Sequence, residues 1–186
     1  LGHLALTANS TGTINTAVGA NALDSNTTGS YSTAVGKDAL QAQTTGNSNT
    51  AIGSRTLQAM TTSGRNCALG EASLYRVTTG NSNAGIGTES GTFITTGDGN
   101  TCVGTFAGDD ITTGNHNTVI GHRNNAGAGG AAYRVVLGYD ATGLVDDSLL
   151  FGRGSIDSQI AFGATTITAP SDVRLKEDIQ DEEVGL

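Results

Sequence analysis

An aliphatic residue followed by glycine recurs along this chain at a fixed interval. The pairs are Leu1-Gly2, Val18-Gly19, Val35-Gly36, Ile52-Gly53, Leu69-Gly70, Ile86-Gly87, Val103-Gly104, Ile120-Gly121 and Leu137-Gly138, each 17 residues after the one before. Two positions before the glycine stand Ala17, Ala34, Ala51 and Ala68, then Gly85, Cys102, Val119 and Val136. Four before it stand Asn15, Ser32, Asn49, Asn66, Asn83, Asn100 and Asn117. A segment such as Asn49-Thr50-Ala51-Ile52 is short, carries β-branched residues and ends on glycine, which reads as a strand. The glycine is expected to end that strand at positive φ or to let a neighbouring backbone approach closely. Threonine pairs such as Thr27-Thr28, Thr44-Thr45 and Thr78-Thr79, each followed by glycine, supply turn chemistry between strands. Leu23, Leu40, Leu57 and Leu74 add a second apolar anchor four residues after the register glycine. Later units carry Gly91, Gly108, Asn125 and Thr142 at that position, and Phe93 and Phe106 are expected to replace the lost packing.

Self-similarity at one fixed period marks a solenoid. The pattern predicts an all-β fold: a 17-residue-repeat β-roll or β-helix shaft over residues 1–142, with equivalent side chains stacked about 4.8 Å apart. Few large apolar groups fall in each turn, so three chains are expected to pool them around a shared axis and cover exposed strand edges. The homotrimer could consist of side-by-side rolls or of interwound strands. After Gly138 the period breaks. Ser148–Gly152 and Gln159–Gly163 read as two ordinary strands within a capping element over 143–170. Beyond Pro170 the chain turns densely charged, and the pattern from Asp181 becomes helical.

Composition narrows the functional classes. Glycine supplies 28 residues, aromatics 4%, proline one and tryptophan none, a recipe for thin stacked layers rather than a large-side-chain core. Glycine does not recur every third residue, which excludes collagen. A net charge of −8 argues against nucleic acid as a partner. No run of 18 apolar residues exists, so no membrane insertion is expected. Cys67 and Cys102 occupy adjacent columns two repeats apart, and adjacent strand positions face opposite ways, which argues against an intrachain disulfide. The asparagine column reads as a hydrogen-bonded structural ladder. His116 and His122 do not make a convincing metal site, and no metal or cofactor is expected. An external polysaccharide-cleaving activity ranks last, because the chain has scattered aspartates and no tryptophan for stacking sugars.

One short segment carries chemistry. Ser171-Asp172-Val173-Arg174-Leu175-Lys176 resembles the motif that opens the C-terminal intramolecular chaperone domain of phage tailspikes, tail fibres and endosialidases. The match covers about nine residues, so residues 171–186 would be the truncated start of that domain within a fragment of a longer fibre. The resemblance implies a trimeric tail-fibre segment of the virion, assembled in the host cytoplasm, that supports binding to a host receptor. That receptor would be a polysaccharide or outer-membrane component, met directly or through adjacent fibre domains. It further implies cleavage of the Pro170–Ser171 bond, with Ser171 as nucleophile and Lys176 as its base, a single-turnover event with no external substrate. Receptor contacts within the shaft would fall on variable positions such as Arg55, Tyr75, Arg76 and Arg123. The alternative is the head of a trimeric autotransporter adhesin, whose repeats contain similar Asn-x-x-x-Ile-Gly strands.

Overall fold

The computed structural model describes residues 2–154 and 156–163; the segment expected to turn helical lies outside them. The strands are β1 (Thr16–Val18), β2 (Thr33–Val35), β3 (Thr50–Ile52), β4 (Cys67–Leu69) and β5 (Ala84–Ile86). They continue with β6 (Thr101–Val103), β7 (Thr118–His122), β8 (Arg134–Tyr139), β9 (Ser148–Arg153) and β10 (Ile156–Ala161). All ten form one sheet in sequence order. From β1 to β8 the pairing is parallel and in repeat register: Ala17 lies beside Ala34, Ala34 beside Ala51, and so on to Val119 beside Val136. The chain is therefore a β-solenoid that stacks on itself turn upon turn.

Between consecutive strands the chain makes a second wall of stacked turns, and the core lies between the walls. The middle residue of each strand points inward, so Ala34, Ala51, Ala68, Cys102, Val119 and Val136 are fully buried. Facing them from the turn wall are Leu23, Leu40, Leu57 and Leu74, also fully buried. Three residues further along each turn runs a column the sequence reading did not isolate: Asn26, Gln43, Met60, Val77, Ile94 and Ile111, all at 0% exposure. One chain thus encloses a continuous core by itself. The expectation that a single coil has too few apolar groups is corrected, because alanine and amide side chains fill a section this thin.

The loss of the leucine column is compensated across the core, not by the phenylalanines. Phe93 is 39% exposed and Phe106 is half-buried, so the expectation that they replace leucine is corrected. Instead the strand residue grows from alanine to Cys102, Val119 and Val136 as the turn residue shrinks to Gly91 and Gly108. A Cβ added at Gly108 would lie 2.5 Å from the Cys102 sulfur. The two walls thus exchange large and small side chains, and the glycine turns leave room for the Cys102 sulfur.

Both proposed roles of the register glycine are met. Gly19, Gly36, Gly53 and Gly70 have φ of 133°, 138°, 136° and 127°. A Cβ on any of them would also collide with the carbonyl oxygen of the equivalent glycine one turn on. Three further columns are left-handed without being glycine. They include Leu40, Leu57 and Leu74 (φ 51° each), Asp38, Arg55 and Ala72 (φ 58°, 57° and 52°), and Ser48, Arg65 and Ser82 (φ 59°, 61° and 57°). That conformation costs roughly 1–2 kcal/mol per ordinary residue. Here it turns N–H groups along the solenoid axis. Leu40 donates forward to Thr56 O at 3.1 Å, and Asp38 donates backward to Ala20 O at 2.8 Å. Stacking offsets the local strain once per corner, in every turn.

Side-chain ladders tie the turns together. In the asparagine column Oδ1 accepts the backbone N–H of the next rung, as from Asn66 to Asn49 (3.0 Å), Asn83 to Asn66 (2.9 Å) and Asn117 to Asn100 (3.0 Å). Each amide nitrogen also reaches the turn wall: Asn83 donates to Gly97 O and Asn100 to Gly114 O, both at 2.8 Å. The threonine turns add another ladder, Thr44 Oγ1 donating to Thr61 O (3.2 Å) and Thr78 Oγ1 to Thr95 O (3.2 Å).

The stack changes at its C-terminal end. Arg134 occupies the asparagine column, and its backbone N–H donates to Asn117 Oδ1 at 3.1 Å. Its nearly buried guanidinium donates to Ala126 O, to Gly143 O (3.0 Å) and to Asp146 Oδ1 (2.7 Å). The next turn is three residues short, pairing Arg134 with Ser148 and Gly138 with Gly152. β10 then folds back antiparallel on β9, ending the parallel register.

Candidate functional site

The outer surface offers two distinct features. The first follows from strand alternation: with the middle residue facing the core, its neighbours face outward. The aliphatic residue before each register glycine therefore lies outside. Val18 (45%), Ile52 (40%), Leu69 (46%), Ile86 (43%), Ile120 (40%) and Phe151 (40%) stay exposed, with Val35, Val103 and Leu137 half-buried between them. Strand pairing aligns all nine in one unbroken column. A parallel column of Thr33, Thr50, Cys67, Ala84, Thr101 and Thr118 runs beside it. Sequence reading had found the aliphatic column but could not tell which wall it faced.

The second feature is a cleft of about 220 Å³ on the wall that follows the strand, lined by Arg55, Ala72, Tyr75, Arg76, Glu89, Thr92 and Phe93. Its origin is local departure from the repeat. The column that carries Asp38, Arg55, Glu89 and Phe106 narrows to a buried alanine at Ala72. A neighbouring column holds Ala42 and Ala59 in early turns, then Arg76 and Phe93, which raise its side. Thr92 is buried beneath and its Oγ1 donates to Ala72 O at 3.2 Å, fixing the floor.

Charge in the cleft is distributed unevenly. Arg55 Nη2 donates to Glu71 Oε1 at 2.8 Å in an exposed pair. The hydrogen bond to Glu71 holds the Arg55 guanidinium above its ordinary range, with the nearby Tyr75 and Glu89 adding smaller contributions. Arg76 is different: its guanidinium carbon sits 4.7 Å from the Phe93 ring centroid, and no carboxylate among the described residues lies within ion-pair distance. The cleft thus brings together Arg55, Tyr75 and Arg76, three of the four positions singled out from the sequence. Ala72, Glu89 and Phe93 were missed; the signal was available as a change of residue size down each column.

Arg123, the fourth position, lies elsewhere, in a hollow of about 280 Å³ with Phe106 and Asp109, and 3.8 Å from Asp140. Burial, reinforced by neighbouring Asp110, raises the Asp109 carboxyl above its ordinary value. Near it His122 stacks on Tyr139 at 5.3 Å, and His116 stacks on Tyr133 at 5.1 Å. Both histidines belong to surface ring ladders, and no cluster of three metal-ligating side chains occurs among the described residues. No described helix is long and apolar enough to cross a membrane. Cys67 is exposed and Cys102 buried, on opposite faces of the sheet and both unpaired. Burial, with Asp110 and Asp109 nearby, pushes the Cys102 thiol up to about 12. Pro170, Ser171 and Lys176, the expected cleavage site and its catalytic pair, lie outside the described residues. No family model, curated protein or solved structure matches this chain.

Proposed function

We propose that this chain is the trimeric shaft of a phage tail fibre, a structural and adhesive rod that carries host-binding surfaces away from the particle. The observation that carries the reading is the nine-rung apolar column, eight aliphatic residues and Phe151, on the outside of the sheet. Isolated exposed aliphatics are ordinary, but a contiguous apolar stripe of several hundred square ångströms marks an interaction surface. Its partner must present apolar groups at the same 4.8 Å rise over the same length. Two further copies of this chain, aligned in register about an axis along the stripe, meet that requirement directly. A self-complementary stripe closing on three-fold symmetry buries all three columns and leaves the turn walls facing outward.

The Ser171–Lys176 motif supports the same reading. Chaperone-assisted trimerisation would place three stripes together, and cleavage of the Pro170–Ser171 bond would then release the chaperone segment. The receptor, a polysaccharide or outer-membrane component, would be met by the outward walls or by adjoining domains of the fibre.

Sedimentation equilibrium of the whole chain tests the assembly, with Leu69→Asp/Ile86→Asp as partner. The parent is expected at three times the chain mass, and the double variant as a folded monomer with unchanged far-UV circular dichroism. A monomeric parent, or a variant still trimeric, overturns the reading.

A further inference from the structure

We propose that the cleft at Arg55, Tyr75, Arg76, Glu89 and Phe93 binds a single pyranose ring bearing a carboxylate, so that the shaft itself makes a glycan contact. The proposal does not depend on the trimer, since the cleft is formed by one chain from three adjacent turns. The solenoid wall carries other shallow hollows, but at this one the departures from the repeat at Ala72, Arg76 and Phe93 bring an arginine stacked on an aromatic ring, a tyrosine and a glutamate together.

Size argues for a small ligand. A hollow of about 220 Å³ lies below the roughly 300–1,000 Å³ of sites that hold drug-sized molecules. Chemistry argues for a sugar acid. Arg76 offers a planar fork of donors with no carboxylate partner, already oriented by stacking on Phe93, and such a fork binds a carboxylate through two parallel hydrogen bonds. The 39%-exposed Phe93 ring supplies an apolar surface against which the C–H face of a pyranose can rest. Glu89 and the Tyr75 hydroxyl can accept and donate hydrogen bonds to ring hydroxyls. Glu71 stays committed to Arg55 at 2.8 Å. With Glu71 and Glu89 both close, a doubly charged phosphate is disfavoured, whereas one carboxylate on an otherwise neutral ring is tolerated. The cleft is open to solvent on one side, so binding of one ring is weak, on the order of millimolar.

Saturation-transfer NMR on the whole chain tests this with glucuronate and glucose as probes. Ring protons of glucuronate are expected to be saturated at least about fivefold more strongly than those of glucose. Arg76→Ala should abolish the preference, Arg76→Lys should retain part of it, and Phe93→Ala should weaken both ligands, each variant keeping the parent's circular dichroism. Equal saturation of the two sugars, absence of saturation at millimolar concentration, or signals indifferent to all three variants would overturn the proposal. Sedimentation reports separately on the trimer: a monomer that still selects glucuronate sinks the assembly reading alone, and a trimer that ignores it sinks this one alone.

Discussion

Asn100 and Asn83 share one oxygen: Asn83 Oδ1 accepts the Asn100 backbone N–H at 2.9 Å and the Asn100 side-chain amide at 3.1 Å. Both residues are buried, and Asn83 in turn donates to Gly97 O on the opposite wall. The side chain therefore satisfies groups in two turns and on two walls at once. Replacing it leaves the Asn100 N–H and the Gly97 carbonyl without these partners. Asn83→Leu is expected to cost about 2–4 kcal/mol, because each orphaned buried group costs about 1–3 kcal/mol. Asn83→Ser is expected to lose less, since Ser32 holds the same column and its Oγ accepts the Asn49 N–H at 3.3 Å. Urea midpoints of the two variants check the order.

The register glycines make a sharper contrast. Gly70→Ala adds a Cβ against the Gly87 carbonyl at φ 127°, a conformation closed to alanine, and the neighbouring turn cannot retreat without breaking its own ladder. The variant is expected to fail to fold or to lose more than about 4 kcal/mol. Gly154→Ala meets nothing within 4 Å at φ 61°, so only the left-handed penalty of roughly 1–2 kcal/mol applies. Thermal denaturation compares a glycine required by both φ and the stacked carbonyl with one favoured only by the left-handed penalty. Equal losses would mean that neither the Gly87 carbonyl nor φ 127° adds to that penalty.

How far the sequence could be read follows from what repeats. The glycine and asparagine columns were legible because each of their neighbours is a copy of themselves, so a single physical reason recurs in every turn. Which wall the aliphatic column faces was not legible. Alternation relates Val35 to Ala34 but does not say which of them meets Leu40, and intuition places the larger residue inside. The interior instead takes alanine, since leucine from the turn wall already fills the section. The left-handed corners at Arg55 and Leu57 were hidden as well, because neither residue advertises positive φ and stacked hydrogen bonds impose it. At the cleft, Arg55, Tyr75 and Arg76 stood out as departures from the repeat, whereas Ala72 and Phe93 mattered only through column neighbours 17 residues away.

The two cysteines should respond to thiol reagents in opposite ways. Cys67 is exposed and should react in the folded state, whereas Cys102 is at 0% exposure and should react only on unfolding. Cys102 holds its proton in the folded chain up to about 12, against an ordinary value of 9.0. Its contribution to stability is therefore complete below pH 9 and falls as pH rises toward 12, where the unfolded thiol ionises first. Cys102→Val places the side chain of Val119 and Val136 in the same column. It is expected to stay within about 1.5 kcal/mol of the parent at neutral pH. It should also lose less stability between pH 9 and 12, which denaturant titrations across that window will register.

At the C-terminal end, Arg134 and Asp146 decide how the last full turn is sealed. The Ala132 N–H and the Arg134 guanidinium both donate to Asp146, in that order of importance, and hold its carboxyl below the ordinary carboxylate value. A depressed folded value means the contribution is present above the unfolded value of about 3.9 and is lost as pH falls through the lower folded value. Hydrogen exchange at Ala132 should therefore lose protection in that acid window before the amides of β3 and β4 do. Asp146→Asn should exchange faster at neutral pH and show no further loss in acid. Arg134→Leu acts more severely, since it strips donors from the Ala126 and Gly143 carbonyls inside the stack and is expected to cost about 2–4 kcal/mol. If the Asp146→Asn chain still loses Ala132 protection in acid as the parent does, the seal depends on some other carboxylate.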